Sequence, residues 1–209
     1  MNTGNSELAG TFFTASQLPP DRQPKVLFLG RSNVGKSSLI NALLGRRLAR
    51  TSSTPGKTLS VNFYRVGRSP QGAPLAGGLS TRDVPWGGLL FVDLPGYGYA
   101  RVGKGEAQRV RRLIADFLGR VENVRLALLL IDSRHGFLPP DLDALAQLVE
   151  KKFPILTILT KSDKLSSSQQ RNLTAKLQQQ FGLRAIPFSI RSQAGKSEIW
   201  TRINEAIKE

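Results

Sequence analysis

The sequence predicts an α/β fold: one mainly parallel, six-stranded sheet covered by helices on both faces. Three observations lead there. From Lys25 onward, short apolar runs of strand length alternate with longer stretches of helical character. The apolar run Val26-Leu27-Phe28-Leu29 passes through a glycine-bounded loop straight into the helix-like Leu39–Leu44, which is a strand-loop-helix unit. Finally, 209 residues suffice for one well-buried α/β domain with tails, but not for two ordinary domains.

In chain order, residues 1–23 are polar, contain Pro19-Pro20 and show only the short apolar patch Phe12-Phe13, so a partly disordered tail is expected there. Residues 24–209 form the single domain. Its strand-like runs are Val26–Leu29, Thr58–Val66, Leu89–Asp93, Leu126–Asp132, Ile155–Thr160 and Ala185–Ser189. Its helix-like runs are Leu39–Leu44, Val110–Leu118, Leu142–Val149, Gln169–Phe181 and Glu198–Ile207. In the second of these, Val110, Leu113, Ile114 and Phe117 recur at i, i+3, i+4 and i+7, which buries one face and turns Arg109, Arg112 and Arg120 outward. Pro139-Pro140-Asp141 suits a helix start, Ser166–Ser168 supply caps, and Gly182 suits a helix end. The stretch 67–88 is rich in Gly, Pro and Ser and lacks periodicity, so it reads as a long mobile hairpin loop between two strands.

Composition narrows the chemistry. There is no cysteine and one histidine, which excludes disulfides and nearly excludes a Cys/His zinc site, and suits a cytoplasmic protein. No signal pattern opens the chain, and the run Leu126–Ile131 is far too short to span a bilayer, so no membrane association is expected. The net charge of +15 points to a polyanionic partner, RNA first. No Asp or Glu falls between Arg22 and Arg82, and a second basic cluster runs from Arg101 to Arg125. A merely solvated surface and attraction to anionic lipid are the alternatives.

The loop Gly30-Arg31-Ser32-Asn33-Val34-Gly35-Lys36-Ser37-Ser38 is a complete phosphate-binding loop. Its two glycines let backbone N–H groups converge on phosphates at a helix N-terminus, where the dipole already favours an anion. Lys36 would reach the β- and γ-phosphates, and Ser37 would offer its hydroxyl to Mg²⁺. A nucleoside triphosphate is therefore the expected ligand. Asp93-Leu94-Pro95-Gly96 closes an apolar strand, which places Asp93 near the Mg²⁺, through a water, and the Gly96 N–H against the γ-phosphate. Thr160-Lys161-Ser162-Asp163 closes another. A carboxylate accepts but cannot donate, so Asp163 suits the ring N–H and amino group of guanine, which adenine does not present together. The stem of Lys161 can cover one face of the base. Phe188-Ser189-Ile190 is placed to give a backbone N–H to the guanine carbonyl.

Together with Thr54-Pro-Gly-Lys-Thr-Leu-Ser-Val-Asn-Phe-Tyr64, Asp93-Leu-Pro-Gly-Tyr-Gly-Tyr-Ala100 and Asp132-Ser-Arg-His135, these segments resemble the EngB family of bacterial ribosome-assembly GTPases, in the TRAFAC class. The resemblance runs from about Phe12 to Trp200 and implies a Ras-like P-loop GTPase fold. It also implies Thr58 as the switch threonine that completes the Mg²⁺ shell, with Gly56, Lys57, Leu59 and Ser60 around the nucleotide; Thr54 is the rival. Lys36, Thr58 and Gly96 would carry catalysis, and Ser37 and Thr58 the metal. Tyr97 stands where many GTPases place a water-orienting Gln, so slow hydrolysis is expected. Asn33 resembles the asparagine that coordinates K⁺ in related GTPases, or it braces the loop. The implied role is GTP-dependent docking of a monomer on RNA of the large ribosomal subunit precursor, with an effect on cell division and septation. An RNA-binding module with GTP as a static ligand, and a kinase on the same scaffold, are the alternatives. Three features depart from the family pattern: the length of the 67–88 loop, Lys25 in place of an acidic residue, and Ile190 in place of a small one. His135 reads as a structural hydrogen-bonder, while Tyr97 and Tyr99 either stack on RNA bases or pack internally.

Overall fold

The computed structural model describes residues 6–18, 23–50, 60–66, 88–98 and 104–208. The strands are β1 (Glu7–Phe12), β2 (Lys25–Gly30), β3 (Val61–Val66), β4 (Leu89–Asp93), β5 (Val124–Asp132), β6 (Ile155–Thr160) and β7 (Ala185–Pro187). The helices are α1 (Lys36–Leu44), α2 (Lys104–Leu118), α3 (Pro139–Glu150), α4 (Ser167–Phe181) and α5 (Lys196–Lys208). They form one seven-stranded sheet in the order β1-β3-β4-β2-β5-β6-β7. β4, β2, β5, β6 and β7 run parallel, while β3 is antiparallel to both β4 and β1.

The additional strand is β1, in the segment read as a tail. Its register with β3 runs from Glu7↔Arg65 to Phe12↔Val61, with an irregularity between Leu8 and Gly10. Phe12 meets Phe63 edge-on, ring centroids 5.0 Å apart, so one aromatic contact and a ladder of backbone bonds hold a segment whose composition is polar.

Both faces of the central sheet are buried, so β2 and β4 are buried at every position and apolar apart from Lys25 at the start of β2, Gly30 at its end and Asp93 at the end of β4. Val26 and Phe28 face α1 and α5, where Leu39, Ile40, Leu43, Ile199, Trp200 and Ile203 complete one core. Leu27 and Leu29 face the opposite layer, with Val110, Ile114 and Phe117 of α2, Leu148 of α3 and Leu177 of α4. Complete burial of a side chain such as Phe117 contributes about 2 kcal/mol. The expected stripe of α2 is therefore inward, and Arg109, Arg112 and Arg120 are exposed. Lys25, buried at the start of β2, donates its ammonium to the Gln23 carbonyl at 2.9 Å.

Helix boundaries follow their caps. Ser166 Oγ accepts from the Gln169 N–H, Gln169 Oε1 accepts from the Ser166 N–H at 2.8 Å, and Gly182 ends α4 at φ 64°. Pro139 opens α3 as its sequence indicates. Val66 pairs with Leu89, so β3 and β4 are the arms of a hairpin; residues 67–87 between them lie outside the described residues. Because the central strands are parallel, Gly30, Asp93, Asp132 and Thr160 all stand at C-terminal ends on one edge of the sheet.

Candidate functional site

The loop between β2 and α1 is shaped by close contacts. A Cβ on Gly30 would stand 2.8 Å from Val34 Cγ1 and 3.0 Å from Leu130 Cβ, so only glycine fits there. Gly35 adopts φ 106° and caps α1, leaving the N–H groups of Lys36, Ser37 and Ser38 in its first turn without intrahelical acceptors. The Lys36 ammonium donates to Asp93, a carboxylate 6% exposed at the end of β4. Phosphate-loop lysine and strand-end carboxylate are thus in direct contact.

The segment after Asp93 is fastened to the loop. Leu94 N–H donates to the Phe28 carbonyl (3.2 Å), Tyr97 N–H to the Gly30 carbonyl (3.3 Å), and Ser32 N–H to the Tyr97 carbonyl (2.9 Å). Leu94 and Pro95 are buried. Gly96 runs against Ser32 so closely that a Cβ would lie 3.0 Å from the Ser32 backbone. Tyr97 is buried, and its hydroxyl donates to Asp141 Oδ1 at 3.1 Å. Asp141 also accepts the Leu138 N–H at 2.9 Å, while Arg31 Nε lies 3.1 Å from Oδ2 in an ion pair not aligned as a hydrogen bond. Burial, then the Asp141 charge, push the Tyr97 phenol far above its ordinary pKa, so it stays a neutral donor. Burial likewise raises Asp141, against the lowering by the Leu138 N–H, Arg31 and Tyr97. Of the two roles open to Tyr97, the structure takes internal packing; Tyr99 lies outside the described residues.

The β6 end meets the same loop from the other side. Thr160 Oγ1 is 2.7 Å from the Val34 carbonyl and 3.1 Å from that of Ile131. Lys161 Nζ donates to the Asn33 carbonyl and to Asp132 Oδ2, both at 2.9 Å. Asp132 is further clasped by Arg134, Nε to Oδ1 at 2.9 Å and Nη2 to Oδ2 at 2.7 Å. Burial alone would raise the Asp132 pKa; the bonds from Arg134 and Lys161 outweigh it and hold the carboxyl well below the usual range. Asp163 Oδ1 accepts from Ser189 Oγ at 2.9 Å, which brings the β6 and β7 loops together. Ser162 is buried and its N–H donates to the Phe188 carbonyl at 3.2 Å.

Three candidate N–H groups in the β7 loop differ in availability. Phe188 N–H donates to Leu159 (2.8 Å) and Ser189 N–H to Ala194 (3.3 Å), while that of Ile190 has no hydrogen-bond partner among the described residues. Gly56, Lys57, Thr58, Leu59 and the rival Thr54 lie outside the described residues; Ser60 is buried just before β3. The His135 ring is exposed, and its residue is held by its backbone N–H to the Asp132 carbonyl at 3.0 Å, not by its imidazole. Sequence reasoning gave no site role to Asp132, Arg134 or Asp141. The available signal was position: an acidic residue ending β5 beside the loop.

A family model described as "50S ribosome-binding GTPase" matches residues 25–161. A probable GTP-binding protein EngB from Solibacter usitatus is 41% identical over 191 residues, 91% of this chain and 90% of its own length. The chain belongs to the EngB family of GTP-binding proteins. A further EngB relative, from Caldanaerobacter subterraneus, is 37% identical over the full length of both chains. Among solved structures, a probable GTP-binding protein EngB superposes with TM-score 0.66 at 24% identity, covering 88% of this chain and 98% of its own. Era in complex with MgGDPNP and nucleotides 1506-1542 of 16S ribosomal RNA gives TM-score 0.66 at 21% identity, over 89% of this chain and 57% of Era, which establishes the shared Ras-like GTPase fold. Membership of the EngB family makes this chain a GTP-binding protein. Among the described residues, no helix is long and apolar enough to cross a membrane.

Proposed function

We propose that this EngB-family chain is a Mg²⁺-dependent GTPase switch, slow in isolation, that docks on RNA of the large ribosomal subunit precursor with GTP and leaves with GDP. The observation that carries the reading is the convergence on one glycine-bounded loop of the Lys36–Asp93 pair and of the β6 loop, which bonds to it through Thr160 and Lys161 and carries Asp163. The pair sits where phosphates meet a helix N-terminus, and Asp163 presents an acceptor-only group to a base.

The donor set fits Mg²⁺: a Ser37 hydroxyl and the Asp93 carboxylate are hard oxygen donors, and among the described residues no cluster of three or more His, Cys, Asp or Glu forms a protein cage. Ser37 and Thr58 would hold the ion, with Asp93 acting through water. When bound, the ion neutralises charge on the β- and γ-phosphates. Lys36 would exchange Asp93 for the phosphate oxygens, and Gly96 would offer its N–H to the γ-phosphate. The Tyr97 phenol is engaged with Asp141, so the position after Gly96 contributes no side chain that orients water, consistent with slow turnover. Asn33 would admit K⁺ as a supplementary charge; equal turnover in potassium and sodium contradicts that role.

The charge of +15 and the exposed Arg109, Arg112 and Arg120 of the α2 region support RNA as the partner, and the family model's description supports the large subunit. The consequence for division and septation follows from failed ribosome assembly. Pelleting the protein with ribosomal subunits in GTP, in GDP and without nucleotide, across a salt series, tests the reading. GTP-dependent, salt-sensitive recovery with the large subunit is expected. Nucleotide-independent recovery with no phosphate release, with or without ribosomes, leaves instead an RNA-binding module with a static ligand.

A further inference from the structure

We propose that this site selects guanine through its N1–H and 2-amino edge and leaves N7 unread, because Thr160 braces the loop instead of facing the base. This inference rests on the guanine-pocket reading above. N7 of a purine is an acceptor, so a side chain that reads it must donate. Thr160 owns one donor proton, and its hydroxyl oxygen lies 2.7 Å from the Val34 carbonyl and 3.1 Å from that of Ile131, where the proton is shared. The residue is 2% exposed, and its Cβ lies 3.9 Å from where a Cβ on Gly35 would stand, so the side chain sits under the phosphate loop. Turning the proton toward a base would strip two buried carbonyls of it.

The neighbouring donor is committed as well. Lys161 Nζ is bonded to the Asn33 carbonyl and Asp132, which holds its ammonium against the loop and offers its aliphatic stem to the base face. Thr160 and Lys161 thereby fasten the guanine loop to successive carbonyls of the phosphate loop, Val34 and Asn33. Discrimination falls on Asp163, whose Oδ2 accepts no hydrogen bond from any described residue. The pocket would then take 7-deazaguanine nucleotides as well as guanine ones.

Calorimetric titration of the full chain with GDP, 7-deaza-GDP and inosine diphosphate, in Mg²⁺, tests this. The expected result is 7-deaza-GDP within about twofold of GDP and inosine diphosphate weaker by about tenfold or more. Thr160→Asn, which adds an amide donor, is the second arm: there 7-deaza-GDP should fall behind GDP by about threefold or more. A tenfold loss for 7-deaza-GDP on the unaltered protein overturns the inference while leaving the pocket intact. Equal binding of all three nucleotides overturns the Asp163 reading, and absence of GDP binding overturns both.

Discussion

Single side chains carry most of the chemistry, and several announce their roles only through partners that are distant in sequence. Asp132 and Lys161 meet across 29 positions, and Lys161 meets the Asn33 carbonyl across 128. A depressed folded-state pKa at Asp132 means that the stability it contributes is complete above the unfolded aspartate value of about 3.9 and is lost as pH falls toward the lower folded value. Asp132→Asn should therefore flatten the acid limb of a urea-midpoint profile and weaken nucleotide binding through a loosened Lys161; an unchanged acid limb contradicts this. Tyr97→Phe removes the donor to buried Asp141 and should cost about 1–2 kcal/mol in equilibrium unfolding. Neither partnership is legible in the sequence, because an isolated Asp in a strand-end segment or at a helix start looks the same whether or not it acquires a cation.

At the level of elements, the parallel core strands and their helices were legible because burial on both faces forces apolar runs, and because α2 repeats its apolar residues at helical spacing. The glycine-bounded loop was legible because its geometry depends on residues that no other side chain can replace, as at Gly30. β1 was not. An edge strand buries little, so its residues are free to be polar, and its place depends on backbone bonds to β3 and the Phe12–Phe63 contact. Phe12→Ala should destabilise the domain by about 1–3 kcal/mol, and an unchanged urea midpoint contradicts the docking of β1. At the other extreme of α4, Ser166→Ala removes a cap in an exposed position and should cost about 1 kcal/mol without altering nucleotide affinity.

For the molecule as a whole, two properties combine: a crevice where loops from β2, β4 and β6 meet, and an excess of cations over the rest of the surface. α2 follows the segment that begins at Asp93, so its exposed arginines come after Gly96, the proposed γ-phosphate contact, along the chain. Replacing Arg109, Arg112 and Arg120 by Glu together should weaken association with ribosomal RNA and lower its salt slope by up to about one for each lost phosphate contact, with nucleotide affinity unchanged. An unaltered salt slope places the RNA contact elsewhere. Beneath all of this lies the claim that one pocket joins a phosphate cradle to a guanine-selective carboxylate. Titrating the Mg²⁺-supplied protein with GDP and with ADP in a calorimeter tests it most directly: saturable binding of GDP with ADP at least about a hundredfold weaker is predicted, and equal affinity for the two, or none for either, would contradict it.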